Sequence, residues 1–142
     1  MNINQSFNFN DSLVSASHEI GREEIKKFNR LVTGGKDTQN IHTDDTVAQK
    51  AGLPRAVATG RHPVCFIAEE MTKIFGKGFI ENGNLDVKFI KPIFPGDIIK
   101  IEFEFFSKQG FEESEKFTFN VSIKNQDGET VTKGVTSAIK TK

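Results

Sequence analysis

A chain of 142 residues is the length of one domain, and a single domain over residues 1–142 is expected. Lys plus Arg and Asp plus Glu both total 19, so no basic excess exists to hold a nucleic-acid backbone. No run of about 18 apolar residues offers a membrane span, and Met1 to Phe9 lack the apolar core of a secretory signal, so a cytoplasmic protein without a membrane partner is expected.

Arg22 to Val32 reads as a helix, with Ile25, Phe28, Leu31 and Val32 on one stripe and Glu23, Glu24, Lys26, Lys27 and Arg30 off it. Gly34 and Gly35 stop it. A polar loop follows, "KDTQNIHTDD" from Lys36 to Asp45, and Asp44 is placed to cap a short helical turn through Val47, Ala48 and Ala51. His62 to Phe75 is the second strong helix. Pro63 suits its first turn and Gly76 its stop, and Val64, Ile67, Met71, Ile74 and Phe75 recur at helical spacing. Its first half, Val64 to Ala68, is apolar nearly all round, which predicts a central helix enclosed by a sheet.

From Phe79 onward the period changes to two. Ile99, Ile101, Phe103 and Phe105 alternate with Lys100, Glu102 and Glu104, as Phe117, Phe119, Val121 and Ile123 do with Thr118, Asn120 and Ser122. Turns are predicted at Pro95-Gly96, in the Lys108 to Ser114 region, and at Asp127-Gly128 before a last strand over Thr130 to Ile139. The fold class is therefore α+β, with helices first and then an antiparallel sheet of four strands, or five if Ser6 to Phe9 joins it. All fourteen aromatic residues are Phe, which suits a dry core or an apolar tunnel. Cys65 is the only cysteine, so neither an internal disulfide nor a cysteine metal cluster can form.

Within the polar loop, Asp37 precedes His42 by five residues, with Gln39 and Asn40 between them. Spacing alone favours a plain reading, a turn-forming aspartate and an exposed histidine. Two further blocks change the balance: Ala56-Val57-Ala58-Thr59-Gly60 before the central helix, and "VKFIKPIFPGD" from Val87 to Asp97. In this order the three blocks resemble the MaoC-like dehydratases, or (R)-specific enoyl-CoA hydratases, a family with the hot-dog fold in which an antiparallel sheet wraps a central α-helix. The resemblance covers roughly Glu19 to Phe106. The sequence departs from the family pattern at Asn40, where Pro is usual, at Gln39, where Asn is usual, and at Thr59, where His is usual. Gly35 and Lys36 look like an insertion ahead of Asp37.

The resemblance implies hydration of trans-2-enoyl-CoA to the (R)-3-hydroxyacyl thioester, or the reverse, with Asp37 and His42 as the catalytic pair. It places the oxyanion and substrate contacts at Gly60, flanked by Thr59 and Arg61, where backbone N–H groups at a helix start receive the thioester oxygen. Gln39 and Asn40 would support the loop, or simply form a turn. No metal or cofactor is implied, because the coenzyme A or acyl-carrier thioester is part of the substrate. Lys88 and Lys91 would meet coenzyme A phosphates or an acidic carrier protein. A homodimer or higher homo-oligomer is expected, its sheets paired edge to edge. Cys65 reads as packing, His18 as surface, and His62 as a partly exposed first-turn residue. Two alternatives stand beside the hydratase: a thioesterase using Glu69 or Glu70 of the central helix, and a non-catalytic acyl-thioester binding module.

Overall fold

A computed structural model describes residues 12–142. The expected strand over Ser6 to Phe9 lies outside the described residues. Helix α1 (Arg22–Val32) has Glu23 and Glu24 in its first turn and Arg30 in its last, the arrangement its dipole favours. It ends where Gly34 and Gly35 take φ of 75° and 84°, a left-handed pair that closes the turn. Its apolar stripe is narrower than expected. Ile25 is buried, but Leu31 is 75% exposed, because it lies about 120° round the axis from Ile25 at 3.6 residues per turn. Val32 also stays partly exposed in the last turn, while Asn29 takes a place on the buried face.

Helix α2 (Asp45–Lys50) is capped as expected: Asp44 accepts from the Thr46 and Val47 N–H groups at 2.8 and 3.1 Å. Helix α3 (Arg61–Phe75) is the central helix and begins one residue before the expected start. It buries His62, Pro63, Ile67 and Met71 and stops at Gly76. A short helix that periodicity did not predict, α4 (Lys77–Ile80), follows.

Strands β1 (Leu13–Val14), β2 (His18–Ile20), β3 (Asn84–Phe89), β4 (Asp97–Gly110), β5 (Ser114–Lys124) and β6 (Thr130–Thr141) form an antiparallel sheet in the order β1-β4-β5-β6-β3, with β2 also on β4. The two short strands β1 and β2 carry too few residues to show a period, which is why alternation did not reveal them. Phe103 pairs opposite Val121 and Ile101 opposite Ile123, so the alternating apolar residues of β4 and β5 fall on one face. Ile99, Ile101, Phe117, Ile123 and Val131 are almost wholly buried there with Ile67 and Met71 of α3. Phe75, at the far end of α3, lies 5.7 Å from the Phe117 ring and 6.0 Å from Phe119. The N-terminal end of α3 lies beside the end of β3, where Gly60 approaches the Phe89 ring. At the other end of the sheet order, β3 pairs only with β6 among the described residues, and Phe89 and Ile90 at its end are exposed. Among the described residues no helix is long and apolar enough to cross a membrane.

Candidate active site

The loop after α1 is held by side-chain hydrogen bonds. Asn40 Oδ1 accepts the His42 backbone N–H at 2.8 Å, and an N–H can only donate, so this bond fixes which way the amide faces. Asn40 Nδ2 therefore donates, to Asn29 Oδ1 at 2.9 Å and to Thr38 Oγ1 at 3.1 Å. Asn29 Nδ2 completes the circuit by donating to Thr38 Oγ1 at 3.2 Å. Thr43 Oγ1 donates to the Thr38 carbonyl and accepts the Asn40 N–H. Asn29 is only 3% exposed. An unpaired amide at such a position costs about 1–3 kcal/mol, so its bonds favour this loop conformation over others.

The His42 ring is tied down separately. Its Nδ1 lies 2.8 Å from the Val57 carbonyl oxygen, which can only accept, so Nδ1 carries the proton and Nε2 of the neutral ring keeps its lone pair. The Val57 N–H returns to the Ile41 carbonyl at 3.1 Å, so residues 41–42 and 57 are cross-linked on both sides of the ring. Asp37 lies in the same loop but turns outward. Its carboxylate is 82% exposed and receives Arg30 Nε at 3.0 Å and Nη2 at 2.8 Å, both on Oδ1. Oδ2 stands outside that ion pair. The hydrogen bonds of Asp37 and of His42 thus lead to different partners and do not join the two residues. Asp45 braces the base of the loop: it accepts the Ala56 N–H at 2.9 Å and pairs with Arg22, and these two, the N–H first, hold its carboxyl below the usual range.

One residue beyond Val57 begins the wall of a cavity of about 310 Å³, lined by Thr59, Gly60, Pro63, Phe89, Lys91 and Thr132 among others. Helix α3 starts here without a side-chain cap; the His62 N–H donates to the Thr59 carbonyl at 3.0 Å and Pro63 has no N–H, so within this turn the Gly60 and Arg61 N–H groups are the ones that can serve a ligand. Gly60 is set by a close approach, since its φ of −56° suits any residue. A Cβ at Gly60 would lie 2.5 Å from Cζ of the Phe89 ring. Thr59 lines the cavity beside it, whereas Arg61 is exposed outside the lining. Lys91 forms an ion pair with Glu129 at the rim, and Lys88 is exposed on β3.

Behind this mouth, His62 is buried, not partly exposed as its first-turn position suggested. Its ring stacks on Phe28 of α1 at 4.6 Å and 3°, and on Phe66 at 5.7 Å. His18 is also no surface residue: it is half-buried and stacks on Phe66 at 4.2 Å. Two helices and a strand thus meet through a ladder of four rings. Nε2 of His18 and Nδ1 of His62 are buried without a hydrogen-bond partner among the described residues. Burial pushes the His62 pKa down, with Glu24 opposing. Cys65, expected in the packing, is exposed, because at position 65 the helix faces away from the sheet.

Of the loop-support pair, Asn40 holds the network while Gln39 points to solvent. Glu69 and Glu70 are both bound to Lys73, at 3.0 and 3.2 Å, far along α3 from the cavity mouth. Sequence reasoning missed Asn29 and Thr38. The signal for Asn29 was a polar residue one turn from Ile25 on an otherwise apolar stripe; Thr38 had none.

Residues 3–126 match the family model described as the MaoC like domain. A sequence comparison with curated proteins found no match. Among solved structures, the chain is similar to a monoamine oxidase regulatory protein from Archaeoglobus fulgius, with 28% identity, a TM-score of 0.77, and 97% of this chain and 93% of that one covered. It is similar in fold to the MaoC-like dehydratase from Rhodospirillum rubrum, at 19% identity and a TM-score of 0.77, covering 98% and 96%. The (R)-hydratase from A. caviae involved in PHA biosynthesis matches at 20% identity and a TM-score of 0.70, covering 97% and 99%.

Proposed function

Because the chain belongs to the MaoC-like domain family, we propose that it interconverts trans-2-enoyl and (R)-3-hydroxyacyl thioesters, with Asp37 and His42 handling the protons. The observation that carries this reading is the His42 ring, locked through Nδ1 on the carbonyl of Val57, the residue before Ala58 of the cavity lining, although neither His42 nor Asp37 itself lines the cavity. A ring so held offers Nε2 as a base toward water. Asp37 turns outward onto Arg30 in this structure and would have to swing inward from that pair to accept from the same water. As water adds to the β-carbon, negative charge develops on the thioester oxygen, and one of the two groups returns a proton to the α-carbon. The N–H groups at the start of α3, around Gly60, receive that oxygen. Donors of this kind are typically worth about 3 kcal/mol of barrier each.

The thioester would enter past Phe89, with the polar arm of coenzyme A or an acyl carrier near Lys91. Lys91 is already paired with Glu129, so a phosphate must compete for it. The outer edge of β3, unpaired among the described residues, supports a homodimer, since an open edge strand invites pairing with its own copy, and Phe89 and Ile90 would then be covered. The deciding experiment incubates the protein with crotonyl-CoA and follows both the conjugated-enoyl absorbance and free thiol. Absorbance loss without thiol supports the hydratase. Thiol release points to a thioesterase, and binding with neither change points to a non-catalytic module.

A further inference from the structure

The loop carrying Asp37 and His42 is governed by two consecutive residues of α1. Arg30 holds the Asp37 carboxylate by one oxygen, and Asn29 reaches His42 through Asn40. An apolar residue would bury this face of α1 as well as Asn29 does and would cost nothing in desolvation. The amide instead spends both its polar atoms on loop residues, Thr38 and Asn40, and on no other part of the described chain. In a loop where the family usually has proline, Asn40 can only be as rigid as its anchor.

We propose that Asn29 is a positioning residue: by holding the Asn40 side chain, it fixes the His42 backbone so that the ring engages the Val57 carbonyl and presents Nε2 unprotonated. This rests on the hydratase reading for its kinetic consequence but not for its structural one. When the Asn29–Asn40 bond is cut, Asn40 loses its support, the His42 N–H is no longer held, and the ring samples positions away from Val57. The ring then no longer has a partner that dictates its tautomer.

The test uses Asn29→Leu, Asn40→Ala and the double variant in the full chain. Long-range 1H–15N spectra of the histidine rings, with the His42 signals identified by their absence in His42→Ala, should show one tautomer in the parent protein, protonated at Nδ1. Asn29→Leu should show a mixture. With crotonyl-CoA, kcat should fall on the order of 100-fold, as for a misplaced catalytic group, with KM within about threefold. The double variant should be no slower than the slower single one, because both act through one link. A single unchanged tautomer in Asn29→Leu, or losses that multiply in the double variant, overturns the proposal. Asn29→Ala, which removes the same two bonds without adding volume, carries the same test if Asn29→Leu does not fold. If the parent protein does not hydrate crotonyl-CoA, the hydratase reading fails and the tautomer spectra still decide the positioning.

Discussion

Replacing Gly60 with Ala separates two explanations for this glycine, a donor position for the substrate oxygen and a seat for the Phe89 ring. The backbone there is ordinary helical, φ −56° and ψ −28°, so the substitution adds no strain, and the loss of unfolded-state freedom favours Ala by about 0.4–1 kcal/mol. Against this stands the clash: the new Cβ would lie 2.5, 2.6 and 2.8 Å from three carbons of the Phe89 ring. That ring is 58% exposed and can swing toward solvent. Giving up its buried two-fifths costs about 1 kcal/mol on a scale of roughly 1.5–3 for a whole side chain. The two effects nearly cancel, so Tm should move by no more than about 4 °C. If the proposed donor role holds, hydration of crotonyl-CoA should nevertheless fall about 100-fold, because the added methyl crowds the N–H groups that would receive the thioester oxygen. Gly60→Ala with Phe89→Ala removes the clash and is the control. It should be more stable than Phe89→Ala alone by about 0.4–1 kcal/mol and remain slow. Activity near that of Phe89→Ala alone in the double variant would show that crowding by the ring caused the loss, and would refute the donor role.

Asp37→Asn and His42→Ala should each slow hydration by about 10²–10⁴-fold, while circular-dichroism melting stays close to the parent; full turnover in either variant contradicts the assignment. His62 makes stability depend on pH in a definite direction. Its folded pKa is below the ordinary 6.5, so the unfolded chain binds the proton more readily, and stability is complete above about 6.5 and erodes as pH falls from there toward the folded pKa. Denaturant melts of His62→Leu should show a flatter dependence across that window, and an unchanged slope would mean that His62 is not the titrating group. Asp44→Ala removes both side-chain bonds at the start of α2 and should cost about 1 kcal/mol, read as an earlier urea midpoint with the same slope.

What this sequence determined by itself was whatever depends on neighbours a few residues apart. The stop at Gly34-Gly35, the Asp44 cap, the central helix ending at Gly76 and the alternation of β4 and β5 are all local consequences of residue size, hydrogen-bonding capacity and period. The order of three motif blocks carried the family as well, since each block has its own spacing. Tertiary structure alone decided which partners those residues meet. His18 and His62 looked like surface residues because a polar side chain says nothing about the rings that arrive from other elements, and Phe28 and Phe66 come from two different helices. Leu31 looked buried because it is apolar, but it lies about 120° round α1 from the buried Ile25 and is 75% exposed. Asn29 and Thr38 became the braces of the His42 loop only once that loop folded back against α1, and the direction of every bond in the brace followed from one backbone N–H. Hydrogen-bond partners are chosen by geometry across the fold, and geometry of that range is not written in any short stretch of chain.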